Sequence, residues 1–430
     1  MLIRNYFINF SSILFYFLPL SLLTGPLIPE IILFIISLTF LIYSLKERSW
    51  FYFKNYFSFG FILFYIYIVL RSLTSADPYL SLENSLFYFR FGLFALATWF
   101  LIVNKKNFIK IFSIFLFLTF FLSIVDGYYQ FFNEYNLFGF NSPDVRMTLT
   151  FNDDLYLGGY LSRMFPLLFA VLIYSFYENK YMPFIFLIIF VTTDTLVYIT
   201  GERTAFALLT LSAVFIILLV NKYKRTRVIS VLISLIIISI ITIYSPIMKD
   251  RNITTTYNQI TGKVDGASED ESNGSYVIFS PSHHKMLMTS LNMFKDNPIF
   301  GHGPKMFRVL CADPQYIYVE NSCSTHPHNN YFQALAEIGI VGLSFIIVVI
   351  AIFGYLLLKH LYFSFFHSKK LVTDYEIALI ACFFLSLWPF LPTQNLFNNW
   401  INIVYYLPVG FYLHAISLNK QESSRYESDS

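Results

Sequence analysis

Thr325-His-Pro-His-Asn-Asn-Tyr-Phe-Gln-Ala-Leu-Ala-Glu-Ile-Gly-Ile-Val-Gly342 runs from a polar loop with two histidines into a long apolar helix. In a chain that otherwise reads as membrane spans, it sets a titratable base at a membrane surface. At about 100° per residue, Gly339 and Gly342 fall within about 40° of His328, so a continuous helix beginning there carries all three on one face. Glycines on that face let a second helix pack closely beneath the imidazole. Glu337 lies about half a turn round and Gln333 about 140° away, which directs both toward a polar contact inside the bundle.

Outward from this stretch, composition sets the class. Of 430 residues, 56% are hydrophobic and 13% charged, with 51 Phe and 32 Tyr, and mean hydropathy is +0.59. A soluble domain of this length needs more charge for its surface. Spans require roughly 20 mostly apolar residues, and such runs lie near 6–24, 27–45, 55–74, 84–103, 108–130, 156–177, 182–200, 203–221, 228–247, 330–358, 375–392 and 400–418. The expected fold is all-α, a polytopic integral membrane protein with about 12 transmembrane helices, some interrupted by Pro19, Pro166 and Pro389. The parts are N-terminal helices over 1–199, a core over 200–345 with one large loop at 248–329, C-terminal helices over 346–418, and a tail over 419–430.

Charge supports that division. With a cytoplasmic N-terminus, most of the 29 basic residues fall on one side. They include Lys46, Arg48 and Lys54, Lys105, Lys106 and Lys110, Lys180, Lys222 to Arg227, Lys359, Lys369 and Lys370, and Arg4, Lys420 and Arg425 at the tails. The positive-inside rule then puts both termini in the cytoplasm. A signal peptide is the rival reading of the first span, but no small-residue cleavage site follows it.

Two outward segments are long. The first, about 131–155, contains Asn141-Ser-Pro-Asp144 and Asn152-Asp153-Asp154, whose carboxylates are either sugar contacts or solvated loop charges. The second is the 248–329 loop, where Gly262 to Gly274 is acidic and rich in Gly and Ser, the composition of a mobile excursion. Ser282 is the expected cap of a helix reaching Asp296, amphipathic through Met286, Leu287, Leu291, Met293 and Phe294 and suited to lie along the outer membrane face. Cys311 and Cys323, twelve residues apart in this loop, are either a disulfide, which an oxidising compartment permits, or two unrelated thiols. Cys382 lies in a span.

Arg71, Arg90, Arg146, Arg163 and Arg203 stand within spans or near their outer ends, whereas the cytoplasmic set is mostly lysine. A guanidinium stays charged and grips phosphate oxygens with a planar fork. Outer arginines therefore suggest an anionic ligand, the alternative being snorkelling to lipid headgroups or pairing with Glu83, Asp126 or Glu202. Arg203 opens a span at Gly201-Glu-Arg-Thr-Ala, where helix N-terminal amides add positive potential. His283, His284, His302, His326 and His328 lack zincin or paired-cysteine spacing, so no metal cofactor is expected. There is no phosphate loop, dinucleotide fingerprint or basic run of nucleic-acid type, so nucleic acid is not an expected partner. A flippase or secondary transporter fits the span count. Against it, the charges gather at the outer end and the long loop falls late, with no matching halves.

Three stretches resemble the O-antigen ligase and O-antigen polymerase superfamily of bacterial envelope glycosyltransferases: Thr200-Gly-Glu-Arg-Thr-Ala-Phe206, Met293-Phe-Lys-Asp-Asn-Pro-Ile-Phe-Gly-His-Gly-Pro304, and His326-Pro-His-Asn329 with Gly339 and Gly342. The resemblance implies a glycosyltransferase C-like membrane fold and inverting transfer of a glycan from undecaprenyl diphosphate, without a metal. The acceptor would be a lipid A core sugar for a ligase, or another lipid-linked repeat for a polymerase. The work would be done at the periplasmic face of the bacterial inner membrane. A related transfer onto protein is a further alternative. His328 is then the expected general base, Arg203 the diphosphate ligand, and Arg251 a second cation from the loop, with His326 and Asn329 as flanking substrate contacts. His326 also serves to shape the turn with Pro327. Relatives commonly carry an arginine before the Lys-Asp-Asn-Pro stretch where this chain reads His283-His284-Lys285, so Lys285 or Arg251 is expected to supply that anion contact.

Overall fold

The structure, a computed structural model, describes residues 2–141, 157–261 and 278–428. Arg146, Asn152, Asp153, Asp154, Lys263 and the acidic Gly262–Gly274 stretch lie outside them. In chain order the helices are α1 (Leu2–Ser21), α2 (Leu27–Lys46), α3 (Tyr56–Leu73), α4 (Pro78–Ser85), α5 (Phe89–Asn104), α6 (Phe108–Asn133), α7 (Leu157–Ser175), α8 (Met182–Ile199), α9 (Arg203–Leu219), α10 (Lys224–Tyr244), α11 (Pro246–Lys249), α12 (Thr255–Ile260), α13 (Pro281–Asp296), α14 (Phe307–Leu310), α15 (Asn330–His367), α16 (Asp374–Ser386) and α17 (Asn399–Ser428). Among the described residues 9 helices, α4 and α5 counted together, are long and apolar enough to cross a membrane. The other apolar runs also hold helices, but α9 has 17 residues and α16 only 13.

α16 is short because the apolar run to residue 392 contains Pro389 and Pro392, which cannot continue a helix. The chain from Leu387 to Asn398 is instead irregular, a form tolerated at membrane depth only where it packs against protein. Here it does so. Asn329 Nδ2 donates to the Pro389 carbonyl at 3.0 Å, Thr393 Oγ1 to Asn330 Oδ1 at 2.9 Å, and Leu396 N–H to Gln333 Oε1 at 2.8 Å.

The bundle interior is aromatic. Phe15 of α1 is fully buried and meets Phe94, Phe108, Phe112 and Phe411 at centroid distances of 5.1–6.3 Å, so α1, α5, α6 and α17 share one ring cluster. α7 is buried along nearly its whole length, while α3, α10 and the later half of α15 present apolar side chains outward.

The opening stretch folds differently from one continuous helix. His328 has φ of 57°, in the left-handed region, and the helix starts after it, capped by Asn329, whose Oδ1 accepts from the Tyr331 and Phe332 amides. Gly339 then breaks α15 at φ 61° and ψ −169°, a region essentially restricted to glycine. Backbone groups on both sides of the break pair with the Pro298–Gly303 segment, and the Ile338 carbonyl accepts from the Tyr67 hydroxyl at 2.5 Å, as burial demands. Ile340 and Val341 amides donate to the Pro298 and Ile299 carbonyls at 2.9 and 3.2 Å, and His302 and Gly303 amides donate to the Ala336 and Glu337 carbonyls at 3.0 and 2.6 Å. Gly339 and Gly342 therefore do not form a packing face under His328. A Cβ at Gly339 would strike the Ile299 carbonyl oxygen, and one at Gly301 the Glu337 carbonyl carbon at 2.5 Å.

α13 also departs from expectation. Its cap is Ser280, with Pro281 at the first turn, rather than Ser282. Its apolar side is taken by the protein, with Leu287 and Met293 fully buried, because it lies along the first half of α15 rather than on a lipid surface.

Candidate active site

Three imidazoles meet where α13, α15 and the loop before α15 converge. The His328 ring lies 4.0 Å from that of His326 and 5.3 Å from that of His283, edge to face at 87°. The His328 carbonyl accepts from the Thr393 amide at 2.7 Å, which holds the base in its left-handed conformation. Among the described residues neither ring nitrogen of His328 has a hydrogen-bond partner, so a substrate hydroxyl has an open acceptor there.

Burial lowers the pKa of all three. His326 falls to about 3, chiefly by burial and then by the His328 charge, with Arg308 and His283 adding to it. His283 falls to about 4 by burial, followed by the charges of His328 and Arg203. His328 is lowered by burial alone. With each pKa lowered below the ordinary 6.5, all three are neutral at pH 7.

Of the expected residues, His328, His326 and Arg203 come together. Arg203 is the first residue of α9; its Nη1 donates to Thr256 Oγ1 at 3.0 Å, and its charge reaches His283. Arg251 is drawn to the same corner, where its Nε donates to the Gly201 carbonyl at 3.3 Å. The intervening Glu202 turns away to cap α7, accepting from the Gly158 and Gly159 amides at 2.7 and 2.9 Å. Asn329 sits beside the base with its amide engaged by backbone groups. Lys285 is two residues past His283 and so about 200° round the helix from it.

Two residues carry more than the sequence showed. His283 faces His328, while its neighbour His284 packs on Tyr318 at 6.1 Å. The fold of α13 against α15 selects between them, and helical periodicity would have separated the two but not chosen. Arg308 directs its charge toward His326 and Glu337. Glu337 itself is fully buried and realises the expected internal polar contact, accepting from Phe307 N–H at 3.0 Å and Gln333 Nε2 at 2.9 Å. Cys311 and Cys323 form a disulfide, tying α14 to the strand of loop that leads into His326. Of the five outer arginines, Arg71 binds the Gly301 carbonyl and Arg90 pairs with Glu30 at 3.2 Å, so these two brace the fold. Among the described residues no three His, Cys, Asp or Glu side chains stand as a metal-binding group.

Fold and site together define a multi-pass membrane protein that gathers His283, His326 and His328 where α13 meets the entry of α15. Residues 184–347 match the model of the family described as O-Antigen ligase, and that stretch takes in Arg203, Arg251, α13 and the His328 turn. The match makes this part of the chain similar to the O-antigen ligase family. Comparison with curated proteins gives no match.

Proposed function

We propose that this protein is an O-antigen ligase-like glycosyltransferase that moves a glycan from undecaprenyl diphosphate to a lipid A core acceptor at the periplasmic face of the inner membrane. The observation that carries this reading is the open imidazole of His328 beside the Arg203 corner. An acceptor hydroxyl is a weak nucleophile and needs a base that is neutral at the working pH. A diphosphate is already a good leaving group and needs charge stabilisation rather than protonation. In the proposed reaction the acceptor oxygen bonds to the anomeric carbon with inversion as the bond to the diphosphate oxygen breaks. His328 takes the hydroxyl proton, and Arg203 and Arg251 bind the departing anion, with Lys285, His326 and Asn329 as further contacts or supports. Both termini are cytoplasmic in this reading, as the lysine-rich turns support, and no metal takes part.

The test is purified full-length protein with lipid-linked glycan donor, with and without lipid A core, compared with His328→Ala. Product that requires the core and is lost in the variant supports the ligase. Ladders formed from donor alone mean a polymerase, and no product from folded protein returns the transporter to first place.

A further inference from the structure

We propose that His283 is a hydrogen-bond donor to the diphosphate of the glycan donor, placed between Arg203 and His328. This rests on the transfer reaction proposed above. Ser280 holds the ring in place. Its Oγ accepts the His283 amide at 3.3 Å as the cap of α13 and lies 2.6 Å from His283 Nδ1. In the proposed arrangement the Ser280 hydroxyl donates to Nδ1, which leaves the ring hydrogen on Nε2. Among the described residues Nε2 has no protein partner.

The surroundings suit an anion. Arg203 faces His283 from α9 and His328 faces it from the loop before α15, while Phe279 packs edge-on at 6.4 Å. Burial and these neighbours keep the ring uncharged down to about pH 4, so it acts as a neutral N–H donor, cooperating with Arg203 rather than competing with it for the anion. His328 and His283 meet edge to face at 5.3 Å, so a base and an N–H donor stand side by side in one site. In the step, the bond from the anomeric carbon to the diphosphate oxygen breaks as the bond to the acceptor oxygen forms. The hydroxyl proton passes to His328, His283 keeps its own, and the diphosphate leaves as the anion. His284 packs on Tyr318 instead.

The experiment uses full-length protein labelled with 15N-histidine, inorganic pyrophosphate as the probe, and the variants His283→Phe and His283→Gln. Phenylalanine keeps a ring against His328 but no N–H, whereas glutamine keeps an N–H. Expected are a pyrophosphate-induced shift of a protonated Nε2 signal that vanishes in both variants, pyrophosphate binding weakened about tenfold in the phenylalanine variant, and turnover lowered about 100-fold. Glutamine should restore most of both. Wild-type pyrophosphate affinity in His283→Phe, or equal losses in the two variants, overturns the proposal in favour of a packing role. If the wild type transfers no glycan, the enzyme reading fails separately, and the pyrophosphate shift still decides the role of His283.

Discussion

Gly339→Ala should unlatch the loop from the helix that carries the site. Alanine at φ 61° and ψ −169° costs about 1–3 kcal/mol in backbone strain. Its Cβ would also strike the Ile299 carbonyl oxygen, so the junction has to open, and the Ile340 and Val341 amides nearest it lose acceptors now at 2.9 and 3.2 Å. At about 1 kcal/mol each, and more where the amides stay dry, the total reaches about 3–6 kcal/mol. Gly354 of the same helix has nothing within 4 Å of an added Cβ, and alanine there should stabilise by up to about 1 kcal/mol. Gly342 should cost less than Gly339 because its helical backbone adds no φ strain, although an added Cβ would strike Ile338 Cγ1, Cβ and Cδ1. Thermal unfolding in detergent gives the ranking, and amide exchange at Ile340 and Val341 locates the damage. A Gly339→Ala protein as stable as Gly354→Ala, with those amides still protected, would refute the latch. Equal loss at Gly339 and Gly342 would point instead to a helix-packing face.

Arg203→Ala should abolish glycan transfer while membrane insertion, followed by detergent extraction and gel filtration, stays at the wild-type level; retained activity would remove Arg203 from the anion site. Reduction, or Cys311→Ser with Cys323→Ser, should cost about 2–4 kcal/mol in unfolding experiments and lower turnover, because Cys323 lies five residues before His328; a reduced protein with full activity would separate the disulfide from the site. Stability should fall on acidification. His326 and His283 have folded pKa values of about 3 and 4 against an ordinary 6.5, so between these limits the unfolded chain binds more protons. Their stabilisation is complete above pH 6.5 and lost as pH falls toward 4 and then 3. The difference in melting temperature between pH 7 and 5 should shrink in His326→Asn, and an unchanged difference would show that other groups set the acid limb.

The helices were legible because apolar runs near 20 residues leave few alternatives, and the Asn297-Pro298 stop and the α13 apolar side could be read from local signals. The break in α15 was not. Glycine is common in membrane helices, and whether one continues or interrupts a helix depends here on a segment some forty residues earlier that supplies two carbonyls and two amides. Reading residues 328 to 342 as one continuous helix therefore assigned faces across a joint. The same reason hid His283: its meaning comes from the docking of α13 on α15, and no spacing between His283 and His328 encodes that contact. His328 stood out in the sequence through the His-Asn and later glycine spacing that resembles the ligase pattern, and the structure adds that Asn329 caps the helix beside it.

The preference for arginine near the outer helix ends has two physical sources. Arg71 reaches the Gly301 carbonyl through two nitrogens, and Gly301 lies in the segment that repairs the α15 break. Lysine, a point charge, could not form that paired contact. Arg163 likewise donates to the Gly159 carbonyl at 3.1 Å, next to the amide that Glu202 accepts. These contacts tie guanidinium groups to carbonyls around glycine turns and need no ligand. At the Gly201 corner Arg203 donates to Thr256 and Arg251 to the Gly201 carbonyl, while Glu202 accepts from the Gly158 and Gly159 amides. In the proposed transfer these two guanidinium groups meet the diphosphate, and arginine suits that role better than lysine because its planar fork can grip phosphate oxygens while its other N–H groups keep their protein contacts.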